Sequence, residues 1–161
     1  MGEHLKKRPK KKIFQKEKID FLRNKAIDKI KVKFLPDEKI IKIILIGSSV
    51  KNTFGEYEKP GFRGSLFSDF DFIIFVEDNY GIPKWLDKEP DGKPFPNDKL
   101  NLAYRSKNFL ENMYDVEVFF VRRKTMENPE IENLAEMPGC EIPFSEKSKW
   151  KQIVVYSKNE Y

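Results

Sequence analysis

The chemistry open to this sequence lies in three short polar features, each set at the end of an apolar run. Gly47-Ser48-Ser49 follows the β-rich stretch 40–46, Asp69-Phe70-Asp71 begins the run 69–77, and Asp115-Val116-Glu117 stands at the head of 114–121. Singly, each has an ordinary reading: a glycine-serine pair makes a turn, and an Asp-x-Asp pair makes a solvated strand edge. Together they ask for more. Side chains two residues apart on a strand share a face, so Asp69 pairs with Asp71 and Asp115 with Glu117. Such carboxylates repel one another until a proton or a cation relieves them. An oxygen-only donor set suits Mg²⁺ or Mn²⁺ rather than zinc. Gly47 lets a backbone N–H approach a phosphate with no side chain in the way, Ser48 adds a hydroxyl donor with Ser49 beside it, and Lys51 either assists the phosphates or is simply solvated. Phosphate and divalent metal together imply nucleotide chemistry.

These groups meet only under a particular topology. Carboxylates at the starts of two strands converge when the strands run parallel, which requires a crossover between them, and 78–113 is long enough to supply one. Gly47, at the end of the first strand, joins them if that strand is antiparallel to the second. The remaining pattern supplies the other elements. Ile19, Leu22, Ala26 and Ile30 form one apolar helical stripe, closed by Pro36. Residues 55–67, with Gly55, Pro60, Gly61 and Gly64, read as a loop, and 78–98 as a long loop that acts as a lid or an insertion. The spacing of Leu102, Phe109, Leu110 and Met113 predicts a helix over 100–113 with those residues inward. A short helix is expected near 130–137, ended by Pro138-Gly139, and a last strand over 152–156. Helices mixed with strands in this order predict an α/β (α+β) fold, a mixed β-sheet with flanking helices.

The 161 residues are the length of one domain. The net charge of +5 resides in the first twelve residues, where six basic side chains face one acidic one. This predicts a basic disordered tail over 1–12 and a single, neutral domain over 13–161. Such a tail can also attract polyanions. No apolar run approaches the ~20 residues of a membrane span, so no membrane partner is expected. Cys140 is the single cysteine and excludes an internal disulfide, which fits a reducing, cytoplasmic setting. His4, the only histidine, lies in the tail, so Ser-His-Asp and Cys-His catalysis lack an ordered base. Trp85 is read as an apolar anchor for its loop in preference to a base-stacking platform.

The stretches Gly47-Ser48-Ser49, Ser68-Asp69-Phe70-Asp71-Phe72-Ile73-Ile74-Phe75-Val76 and Asp115-Val116-Glu117-Val118-Phe119 resemble the DNA polymerase β-like nucleotidyltransferase superfamily over residues 40–122. That pattern is a glycine-serine turn, an Asp-x-Asp strand and a third carboxylate on a neighbouring strand. The resemblance implies that Asp69 and Asp71 hold two metals, Mg²⁺ or Mn²⁺, on a nucleoside triphosphate. It also implies that Gly47 and Ser48 hold the phosphates and that a third carboxylate helps activate an acceptor hydroxyl. Asp115 is favoured for that role because it lies nearer the open end of its strand, with Glu117 the alternative. ATP is favoured as the substrate by the resemblance only. The implied activity is transfer of a nucleoside monophosphate from an NTP to a hydroxyl on RNA, protein or a small molecule. The alternative is a non-catalytic nucleotide- or RNA-binding module of the same fold that works with a partner subunit. A metal-dependent nuclease is disfavoured, because Phe119 stands where such enzymes commonly carry a lysine. The Gly47-to-Asp69 separation exceeds that of compact members, which makes 56–67 an insertion.

Overall fold

The computed structural model describes residues 10–60, 65–88, 103–127 and 151–158. Among these, a six-stranded mixed sheet carries one long helix on one face, an α+β architecture as the sequence predicts. Helix α1 (Lys16–Phe34) buries Ile19, Leu22, Ala26, Ile30 and Phe34, the expected stripe continued by one turn. It stops just before Pro36, whose ring cannot continue it.

The sheet is built around three strands: β2 (Ile40–Ile46), β4 (Phe70–Val76) and β7 (Tyr114–Arg122). Strand β2 runs antiparallel to β4, and β4 runs parallel to β7, the arrangement that the convergence of the polar features requires. Ile43 and Leu45, then Phe70, Phe72, Ile74 and Val76, then Val116, Val118 and Phe120 point from these strands into the core shared with α1. The alternate residues Asp71 and Glu117 therefore project from the opposite face. Strand β8 (Ile153–Ser157) adds to the free edge of β2, and lies where a last strand is expected.

The segment 100–113 departs from its reading as a helix. It contains strand β6 (Ala103–Leu110), which folds back antiparallel on β7 through a turn at 111–113. The helical spacing was coincidental: Met113 is 45% exposed rather than inward. Asn108, Glu111 and Asn112 adopt positive φ, which a continuous helix excludes. Between Ser106 and Leu110 the register against β7 shifts by a bulge, and this erases the strict alternation by which a strand is recognised. Strand β5 (Asp87–Lys88) completes this side of the sheet by pairing with β6, so the described part of the link between β4 and β7 is strand rather than helix.

Two further expectations change. Lys11 and Lys12, read as part of a disordered tail, form strand β1 (Lys11–Ile13), which pairs antiparallel with β3 (Gly55–Tyr57) inside the segment read as a loop. The backbones approach so closely that a Cβ on Gly55 would collide with the Lys12 carbonyl oxygen. The rings of Phe14, Phe54, Phe67, Phe70 and Tyr114 pack beneath this ribbon, which supplies the apolar support that two lysines lack. Short helices α2 (Ser48–Lys51) and α3 (Arg123–Met126) follow β2 and β7. The helix expected near 130–137, Cys140 and residues 1–9 lie outside the described residues. No helix among the described residues is long and apolar enough to cross a membrane.

Candidate active site

Strand register assembles the site. Ile46 stands opposite Asp71, Asp71 opposite Glu117, and Glu117 opposite Arg105, so one row crosses β2, β4, β7 and β6. Residues directly opposed in a sheet project from the same face, which brings Asp71, Glu117 and Arg105 side by side. Asp69, just before β4, joins them. The carboxylates of Asp69, Asp71 and Glu117 each offer an oxygen within 4.8 Å of the others.

Gly47 closes the row at the β2 end. Its φ of 86° and ψ of −158° lie in a region reserved for glycine, and a Cβ there would collide with Asp71 Oδ2. The glycine-serine turn and the Asp-x-Asp strand are thus in direct contact. Beyond it, the backbone N–H groups of Val50 and Lys51 both donate to the Gly47 carbonyl, forming the single turn of α2. Ser48 is half-buried in that turn. Ser49 is fully buried, and its carbonyl accepts a 3.0 Å hydrogen bond from Arg23 of α1, which is itself paired with Asp20. Lys51 is exposed at the end of α2.

The structure separates the two candidates for third carboxylate. Glu117 is level with Asp71 and joins the cluster, whereas Asp115 is committed elsewhere. Its Oδ1 accepts the Asn108 backbone N–H at 2.9 Å, and its Oδ2 accepts Arg105 Nη2 at 3.1 Å. The nearness of Asp115 to the open end of the strand, which favours it in sequence, places it against the β6 bulge instead.

Arg105 is the site residue that sequence reasoning missed. Its Nη1 donates to Asp69 Oδ2 at 2.8 Å and to Glu117 Oε2 at 3.3 Å while Nη2 holds Asp115, so one buried guanidinium touches three carboxylates. The helix-like spacing of Leu102, Phe109, Leu110 and Met113 hides it from a reading of the sequence. The usable signal was a lone arginine in the strand that must neighbour an acidic one.

Electrostatics follow from this crowding. Burial, then the charges of Asp69 and Glu117, then a hydrogen bond with Asp69 push the Asp71 carboxyl well above the usual range, with Arg105 pulling only partly back. For Arg105, burial works against the charged form, but Asp69 and Asp115 outweigh it and hold the guanidinium protonated even more firmly than usual. Three carboxylates bonded to one guanidinium outnumber its charge even where Asp71 beside them holds a proton. The donors are all carboxylate oxygens, which fits a hard divalent cation such as Mg²⁺ or Mn²⁺.

Other candidates settle into structural places. Trp85 stacks on Phe109, packs against Phe34 and lies under Lys33, which makes it an apolar anchor. Arg123 is bound to Glu77 through two hydrogen bonds of 2.7 and 2.9 Å. No family model matches this chain, and a search of curated proteins finds no significant relative.

Proposed function

We propose that the protein is a divalent-cation-dependent nucleotidyltransferase, which moves a nucleoside monophosphate from an NTP to an acceptor hydroxyl and releases pyrophosphate. One observation carries this reading: Gly47 lies against Asp71 at the head of a row in which Asp69, Asp71 and Glu117 converge. That is the constellation on which the family resemblance depends. Asp69, Asp71 and Glu117 would hold Mg²⁺ or Mn²⁺, which when bound supplies positive charge against the triphosphate. The turn at Gly47-Ser48 offers its backbone and the Ser48 hydroxyl to the phosphates, while the space that a side chain on residue 47 would need is taken by the Asp71 carboxylate. In the transfer, the acceptor oxygen bonds to the α-phosphorus as the bond from that phosphorus to the pyrophosphate oxygen breaks, and pyrophosphate leaves with the electron pair. Glu117 orients or takes the acceptor's proton, the role for which the sequence favours Asp115 with Glu117 as the alternative. Asp115 instead keeps Arg105 and the β6 bulge in place.

A second reading, a non-catalytic nucleotide- or RNA-binding module that works with a partner subunit, draws support from Arg105, whose guanidinium already satisfies part of the carboxylate charge. Incubation with each α-labelled NTP, Mg²⁺ or Mn²⁺, and a mixture of RNA and cell extract decides between them. Label appearing on RNA, protein or a small molecule, and lost in Asp71→Asn, supports transfer and identifies the acceptor class. Binding of labelled NTP without covalent transfer to any species favours the module.

A further inference from the structure

Asp69 and Glu117 face two claimants. Both belong to the three-carboxylate group suited to a divalent cation, and both are also hydrogen-bonded to Nη1 of Arg105, at 2.8 and 3.3 Å. A guanidinium and a divalent ion repel each other strongly at such range when water is largely excluded, and the Arg105 side chain is only 10% exposed. The guanidinium cannot withdraw by losing its proton, because arginine stays charged at any working pH. It is tethered on its other side: Nη2 is bound to Asp115, whose side chain is 7% exposed and is fixed in turn by the Asn108 N–H.

We propose that Arg105 is a resident counter-cation of this site, so that a divalent ion binds only as Nη1 gives up Asp69 and Glu117 while Nη2 stays on Asp115. Arg105 then sets how tightly the site takes its ion, and Asp115 is the anchor that keeps the arginine from leaving. Without the ion, the guanidinium keeps a crowded acidic cluster from flying apart. With it, the same charge opposes the ion and lowers its affinity. This rests on the divalent-cation reading above and adds to it the device that tunes the site.

The test is Mn²⁺ binding, followed by the loss of the free-ion paramagnetic resonance signal, for wild type, Arg105→Gln and Arg105→Lys. Removing the charge is expected to tighten Mn²⁺ binding at least about tenfold in Arg105→Gln, with Arg105→Lys between the two. The same variant should melt lower than wild type without the ion and gain more from Mn²⁺. A folded Arg105→Gln whose Mn²⁺ affinity is equal to or weaker than wild type overturns the proposal and leaves the cation reading standing. Failure of both proteins to bind Mn²⁺ overturns the two together. Should Arg105→Gln not fold, the wild type decides: Mg²⁺ addition is expected to shift the Arg105 guanidinium nitrogen resonances. Saturable Mg²⁺ binding with those resonances unmoved rejects the counter-cation role.

Discussion

Gly47 and Asp71 share one space, since the volume that a side chain on residue 47 would need is filled by the Asp71 carboxylate. The contact follows from register. Strand β2 ends opposite Asp71, so the chain must turn away within one residue of an acidic group, with a backbone conformation open only to glycine.

Gly47→Ala should therefore disturb fold and site together. The strained φ costs about 1–3 kcal/mol, and the methyl must push Asp71 out of the row. Thermal melting is expected to fall and Mn²⁺ binding to weaken in this variant. Ser48→Ala, without either conflict, should melt close to wild type. Equal Mn²⁺ affinity in Gly47→Ala and wild type would count against the close approach as a feature of the site.

The raised pKa of Asp71 makes stability depend on pH in a definite direction. In the folded state Asp71 keeps a proton that the unfolded chain has already released. Metal-free protein should therefore lose stability as pH rises from the ordinary carboxylate range through that raised value. Asp71→Asn removes the titration. It should flatten this part of the profile and melt higher than wild type at neutral pH. Melting curves between pH 4 and 8, recorded in a chelator, check this. An unchanged slope in Asp71→Asn would assign the effect to another group.

Phe54 tests the support beneath the site. It is fully buried, stacks on Phe70 at 4.7 Å between ring centres, and precedes Gly55, whose N–H and carbonyl both bond to Ser68 beside Asp69. Phe54→Ala should cost about 3–5 kcal/mol in urea unfolding, and Phe54→Leu less than about 2 kcal/mol. A small loss for Phe54→Ala would mean that the β1–β3 ribbon holds without its aromatic floor.

The parts of the fold that could be read from sequence were those whose periodicity is uninterrupted. The α1 stripe and the apolar runs of β2, β4 and β7 repeat cleanly, and Pro36 marks the end of α1. Strand β6 could not be read this way, because its bulge and the left-handed Asn108 break the alternation and leave Phe109 and Leu110 at a spacing that imitates a helix. Strand β1 is hidden for another reason. Its lysines project from a ribbon held by backbone hydrogen bonds and by aromatic rings contributed from elsewhere in the chain. At the site, side-chain types and their face were legible, while the level of each carboxylate along its strand was not. Register is set by pairing partners, which a single sequence does not display.

That undetermined level yields the sharpest prediction, because Asp115 and Glu117 lie one pleat apart on the same face and meet different partners. Glu117→Gln removes a charge from the cluster without removing packing, so it should fold, melt at or above the wild-type temperature, and lose Mn²⁺ affinity and nucleotidyl transfer. Asp115→Ala removes a buried partner from Arg105 and from the Asn108 N–H, and should cost about 1–3 kcal/mol of stability. Asp115→Asn, whose side-chain oxygen can still accept the Asn108 N–H, should recover part of that loss and retain transfer. Urea titrations set beside transfer rates separate the two residues: one variant is stable and inactive, the other destabilised and active while folded. The opposite pairing, with Glu117→Gln active and folded Asp115→Asn inactive, would return the third-carboxylate role to Asp115 and require β7 to sit one pleat away from its present register with Asp71.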